Sequence, residues 1–203
     1  MIAIEFEGDS MHLNAKMIGG GVAAAVATGI GYLLLSRDEQ PASFRTVSRE
    51  GAFSIRDYPP LWVAETVIEG MRESAVALGL GKLAEFLFGK AGAKRMTVPV
   101  LADGDEDGRG WRTRLVMPAR MRPEDLAPEE GVSLRALPPR RIAALRFTGD
   151  SDDRALGTHE AELRRWMATH GLRASGPVEH AFYNSPLTPA ALRRSEVLIP
   201  LAA

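Results

Sequence analysis

The sequence predicts an α+β fold: two duplicated ββαββ units, related by a pseudo-twofold, forming a distorted antiparallel β-barrel flanked by two helices, with an N-terminal membrane-anchor helix. Three observations carry that expectation. Ser54-Ile55-Arg56-Asp57-Tyr58-Pro59-Pro60 returns 79 residues later as Ser133-Leu134-Arg135-Ala136-Leu137-Pro138-Pro139, and Val63-Ala64 is answered by Ile142-Ala143 at the same offset. Leu115-Val116-Met117-Pro118 is matched by Val197-Leu198-Ile199-Pro200 at an offset of 82. Two blocks recurring in one order read as a repeated unit of about eighty residues. The third observation is a run without charge, residues 17–35, bounded by Lys16 and Arg37.

At 203 residues the chain has room for one medium domain and an appendage. Its 25 basic residues against 26 acidic ones lack the basic excess of a nucleic-acid binder. With no cysteine, disulfides, thiolate metal sites, a cysteine nucleophile and a lipidated N-terminal cysteine are all excluded.

Residues 1–16 read as a polar tail. Residues 17–35, at about 1.5 Å each, would span roughly 28 Å as a helix, close to the hydrocarbon thickness of a bilayer. Ser36-Arg37-Asp38-Glu39 offers no small-x-small cleavage site after it, so an uncleaved single-pass anchor is expected rather than a signal peptide. The expected location is a bacterial inner membrane with the barrel on the periplasmic side. Lys16 and Arg37 encode that orientation only weakly. Gly21, Ala25 and Gly29 recur every four residues. They either let two anchors approach as a weak homodimer or merely make a poorly hydrophobic span.

Residues 36–43 form a linker and 44–203 the barrel, with repeat halves of about 44–126 and 129–203. Proline lacks an N–H and pushes its predecessor into extended backbone, so each Pro-Pro pair should stop one strand and start another. Strands are expected at 53–56 and 62–68. A helix over about 71–88 follows, with Val76, Leu80, Leu83 and Leu87 at helical spacing. Gly79 and Gly81 each cost that helix about 1 kcal/mol relative to alanine, a cost explained by close approach of a strand or of a flat ligand, the strand being favoured. Further strands are expected at 95–101 and 111–117, joined by a solvated acidic turn over 103–108. The second half repeats the order: strands at 132–136 and 141–147, a helix capped by Ser151, then strands at 178–183 and 196–201. In that helix Leu156, His159, Leu163, Trp166 and His170 share a face, and Gly171 ends it. A closed barrel would satisfy every strand edge.

Leu83-Ala84-Glu85-Phe86-Leu87-Phe88-Gly89 followed by Lys94-Arg95-Met96-Thr97-Val98-Pro99-Val100 resembles the SOUL haem-binding protein family. So do Phe182-Tyr183-Asn184-Ser185-Pro186 and Leu192-Arg193-Arg194-Ser195-Glu196-Val197. The resemblance covers nearly all of 44–201. Leu187 departs from it where the family carries an aromatic residue, and Ser195 where it carries asparagine. The resemblance implies a pseudo-symmetric barrel of the kind shared with bacterial effector-binding domains. It also implies binding of haem or a related porphyrin in a hydrophobic groove along the first helix, with basic residues for the propionates.

Haem needs an apolar slot for the macrocycle and cations for two carboxylates, with an iron ligand optional. The first helix offers Val76, Leu80, Leu83 and Leu87 as the slot, and Arg72, Lys82 and Lys90 as the cations. His12, His159, His170 and His180 have no spacing that suggests a metal site. Nucleophile elbow, P-loop and dinucleotide fingerprint are absent. Glu196 and Tyr183 could meet as an acid and its orienter. The expectation is therefore a non-enzymatic binder that transports or buffers haem as a reversible ligand. The alternative is an envelope-located small-molecule sensor or interaction domain without haem.

Overall fold

The computed structural model describes residues 43–89, 98–105, 107–119, 121–184 and 188–202. They form β1 (Arg45–Glu50), β2 (Phe53–Tyr58), β3 (Leu61–Glu69), helix α1 (Arg72–Phe88), β4 (Val100–Gly104) and β5 (Gly110–Val116). After a 3-10 turn at Pro123–Asp125 come β6 (Ser133–Leu137), β7 (Arg140–Thr148), helix α2 (Asp153–Thr169), β8 (Glu179–Phe182) and β9 (Arg194–Pro200). All strand pairs are antiparallel, in one sheet of order β1-β2-β7-β9-β8-β4-β5-β3-β6.

Both Pro-Pro pairs separate strands as expected, but neither makes a hairpin. β2 runs into Pro59-Pro60 bonded to β7, with Tyr58 facing Arg140, whereas β3 leaves it paired with β6, with Leu61 facing Leu137. Each proline pair is thus a corner at which the chain changes neighbours, a place where a missing N–H interrupts no ladder.

The sheet curls into a half-barrel instead of closing, which corrects the expectation that every edge is satisfied. β1 and β6 remain as its two edges among the described residues. β1 itself is a further correction, since no strand was expected there. All six of its residues are exposed, so no alternation of apolar and polar side chains marks it. β4 begins at Val100, later than expected, and runs on through Asp103, which is buried rather than in a solvated turn. The cap of α2 is Asp152, one residue after Ser151. Its side chain accepts from the Ala155 N–H at 2.7 Å.

Register places both helices on one face. Ala64, Leu115 and Val100 meet Leu80, Leu83 and Leu87 of α1, and Ala143, Phe147, Val197 and Ile199 meet Leu156, Leu163 and Met167 of α2. Each fully buried leucine contributes about 1.5–3 kcal/mol. On the helix-free face Tyr58, Leu101, Ile142, Ala144, Ala181, Tyr183 and Leu198 form a third cluster. Gly79 lies where α1 crosses the sheet. A Cβ built there would sit 2.7 Å from Thr113 Oγ1, so the glycine permits the close approach.

The expected anchor, residues 17–35, lies outside the described residues, as do the tail over 1–16 and nearly all of the linker. Among the described residues no helix is long and apolar enough to cross a membrane.

Candidate functional site

The apolar stripe of α1 points into the sheet. Leu80, Leu83 and Leu87 are buried in the core cluster, and Val76, one turn before Leu80, is half-buried. The same cluster carries a half-buried flank that sequence periodicity does not reveal: Phe86, Met121, Leu126, Val132 and Leu134. Apart from Phe86, these come from the connector and β6, brought against α1 by the pairing of β3 with β6. The outcome is an apolar rim along the C-terminal half of the helix.

The cations named from the sequence are spread out. Lys82 is half-buried at that rim, its Nζ 2.6 Å from where a Cβ on Gly131 would stand. Arg72 is at the opposite end of α1. Its Nε donates to Asp153 Oδ1 at 2.5 Å and its Nη2 to the Ser151 carbonyl at 2.8 Å, which ties the N-termini of the two helices together. Lys90 lies outside the described residues.

Beside Arg72, on β8, sits His180, 6 % exposed, between Trp111 and Phe182 with ring centroids 6.0 and 6.4 Å away. Its Nδ1 has no hydrogen-bond partner among the described residues. Burial, helped by the charge of Arg72, holds its pKa down at about 4, so the ring is neutral at pH 7. His159 stacks on Phe147 at 4.0 Å, and the exposed His170 lies tilted against Trp166 at 4.4 Å.

The helix-free face holds a second, polar constellation. Arg56 donates to both carboxylate oxygens of Glu196, at 2.7 and 2.9 Å, and its Nε to Ser54 Oγ at 2.9 Å. Tyr183 donates its hydroxyl to Glu196 Oε2 at 2.8 Å. The meeting of Tyr183 and Glu196 is thus real, but the arginine is what the sequence could not show, standing 140 residues away. Burial alone would lower the Arg56 pKa. The hydrogen bonds and charge of Glu196 overcome that and raise it, fixing the guanidinium as a cation. Burial and the adjacent Glu196 charge push the Tyr183 hydroxyl well above its ordinary range. With both oxygens of Glu196 engaged, this is a locked structural pair rather than an exposed acid.

Farther along the same face Asp103 pairs with Arg114 and, at 3.0 Å, with Arg112, while Glu179 pairs with Arg140. Burial raises the Asp103 pKa against the pull of the two arginines. The Nε atoms of Arg112, Arg114, Arg140 and Arg194 are buried without partners among the described residues. This face carries more guanidinium donors than its carboxylates satisfy.

The profile of the family described as SOUL heme-binding protein matches residues 39–200. No curated protein matches the sequence. Among solved structures, an uncharacterized conserved protein from Listeria innocua superposes with a TM-score of 0.56 at 12% identity, covering 76% of this chain and 94% of that one. The C-terminal domain of EcmrR gives 0.54 at 12% identity, covering 74% and 96%. A hydrolase from Listeria innocua gives 0.53 at 16% identity, covering 77% and 94%. At these identities the likeness is one of fold.

Proposed function

Because the chain belongs to the SOUL haem-binding protein family, we propose that it binds haem or a related porphyrin reversibly, without catalysis, in an apolar groove along α1. The observation that carries the reading is the rim of Phe86, Met121, Leu126, Val132 and Leu134 above buried Leu80, Leu83 and Leu87. These partly buried side chains would give a macrocycle the apolar contact it needs. Lys82 at its edge, with Lys90 close behind in sequence, would pair propionates. Arg72, already bound to Asp153, would steady the helix. Bound haem would bring redox-active iron, and the chain's part is to hold the ring and exclude water from its faces. His180 is shut beneath Trp111 and Phe182, which favours attachment through ring contact and propionates over iron ligation.

Titration of the full chain with hemin tests this. A saturable Soret shift is expected, weakened several-fold in Lys82→Ala and little changed in His180→Ala. Absence of a saturable shift would overturn the reading in favour of a haem-free small-molecule sensor.

We also propose that the two halves descend from one duplicated unit. Tyr58 facing Arg140 and Leu61 facing Leu137 exchange places under the same 79-residue offset that relates the sequence blocks. The later strands slip by two: Ala64 faces Leu115, whereas Ala143 faces Ile199 and not Val197. Finally, residues 17–35 are proposed as a membrane anchor with the barrel periplasmic. Release by alkaline carbonate would refute the anchor, and survival of the barrel in protease-treated spheroplasts would refute the side.

A further inference from the structure

At the end of the helix-free face where the β1–β2 turn meets the end of β7, a cleft of about 380 Å³ is lined by Arg49, Ala52, Arg56, Arg146, Phe147 and Thr148, with Gly51 at its lip. Three of these residues are arginines and none is acidic. Arg56 forms the fixed part, held by Glu196 and Ser54 with its guanidinium 4.5 Å from the Phe44 ring centroid. Arg49 faces Ser54 across the β1–β2 ladder, and Arg146 faces Glu196 across the β7–β9 ladder. Glu196, the carboxylate nearest in register, is already taken by Arg56 and Tyr183. Arg49 and Arg146 are exposed, and neither has an ion-pair partner among the described residues. A further arginine, Arg194, faces Thr148 across the ladder, its guanidinium 3.9 Å from the Tyr183 ring centroid and its Nε buried without a partner among the described residues.

We propose that this cleft is a carboxylate-binding site, in which Arg49 and Arg146 clamp an organic acid above the Arg56–Glu196 pair. Guanidinium forks match carboxylates two bonds at a time, and a wall without acids leaves the incoming anion unopposed. Ala52 and the Thr148 methyl leave room for a short apolar body attached to the acid, while the Phe147 ring faces α2 on the other side of the sheet. The volume suits a molecule much smaller than a whole haem. The site lies on the face opposite α1, so it is separate from the groove proposed above and does not depend on that reading. Carboxylates reach such a cleft from two sources, a free organic acid or the propionate arm of a porphyrin.

The experiment compares the full chain with Arg49→Gln/Arg146→Gln, using glutarate, protoporphyrin IX and its dimethyl ester as probes at low ionic strength. The double variant is expected to keep the melting temperature, since both side chains are exposed and unpaired. It should lose at least tenfold in affinity for glutarate, for protoporphyrin, or for both, while the ester is unaffected. Loss for glutarate identifies a free acid as the occupant, and loss for protoporphyrin alone identifies the propionate. Arg49→Lys/Arg146→Lys, which keeps the charge but not the fork, should recover only part of the loss and serves as the readout if the glutamine variant fails to fold. Unchanged affinity for both acids, or no binding of either by the native chain, overturns the proposal. Unchanged glutarate affinity in Arg49→Gln/Arg146→Gln, together with protoporphyrin binding that drops in Lys82→Ala but not in the double variant, would leave the groove standing and remove the cleft.

Discussion

Glu196 and Arg56 are each almost inaccessible to solvent, and each is tolerable there because of the other. Removing one partner strands a buried charge, so Glu196→Gln should destabilise the chain by about 3–5 kcal/mol in urea unfolding. Replacing both by apolar residues of similar size should cost less, and equal losses would contradict the account. His180 gives a pH signature. It titrates near 4 when folded and near 6.5 when unfolded, so between those values the unfolded chain binds the extra proton. Stability from this group is therefore present above pH 6.5 and falls as pH drops towards 4, by up to about 3 kcal/mol. The raised pKa of Asp103 acts in the opposite direction, so the informative quantity is a difference: His180→Leu should flatten the acid side of the stability profile relative to the native chain. Identical slopes would mean that His180 is not buried in solution. Little of this was legible in the sequence. Glu196 and Tyr183 could be paired by eye because β8 and β9 are neighbours along the chain. Arg56 lies in the other half and Asp103 sits in what reads as a solvated acidic turn, and both reach their partners only through the sheet.

At the scale of elements, α1 depends on Gly79. Alanine there would favour the helix by about 1 kcal/mol but drive a methyl into Thr113 and Thr66, so Gly79→Ala is expected to lower stability by about 1–3 kcal/mol net. Chemical denaturation checks this, and a more stable variant would mean that helix and sheet are not in close contact. The two glycines of the helix were visible as costs in the sequence, and packing of a strand is the answer for Gly79. The leucine stripe was legible too, because period 3.6 reports burial. What it buries against was not: periodicity cannot separate a core face from a ligand slot, and the half-buried rim comes mainly from residues forty or so positions farther on. β1 escaped notice for the converse reason. An edge strand exposed along its length carries no pattern, and only its ladder with β2 reveals it.

For the whole molecule, the sheet is crossed between halves at three ladders: β2 with β7, β3 with β6, and β4 with β8. Residues 44–126 or 129–203 alone would leave those edges and the helix-free face open. Neither fragment should show a cooperative melt, and one that did would refute a single cooperative unit. The doubled Pro-Pro block announced the two halves in the sequence, whereas the open curl of the sheet depends on which strands end as edges, a matter of long-range pairing. The central claim concerns how this chain would hold a tetrapyrrole: by its ring faces and acid arms, with little from iron. Competition between metal-free protoporphyrin IX and hemin for the full chain tests that most directly. Displacement of hemin at comparable concentrations, followed by loss of its Soret shift, is the result the account predicts. Failure of protoporphyrin to compete would show that an iron ligand dominates and would contradict it.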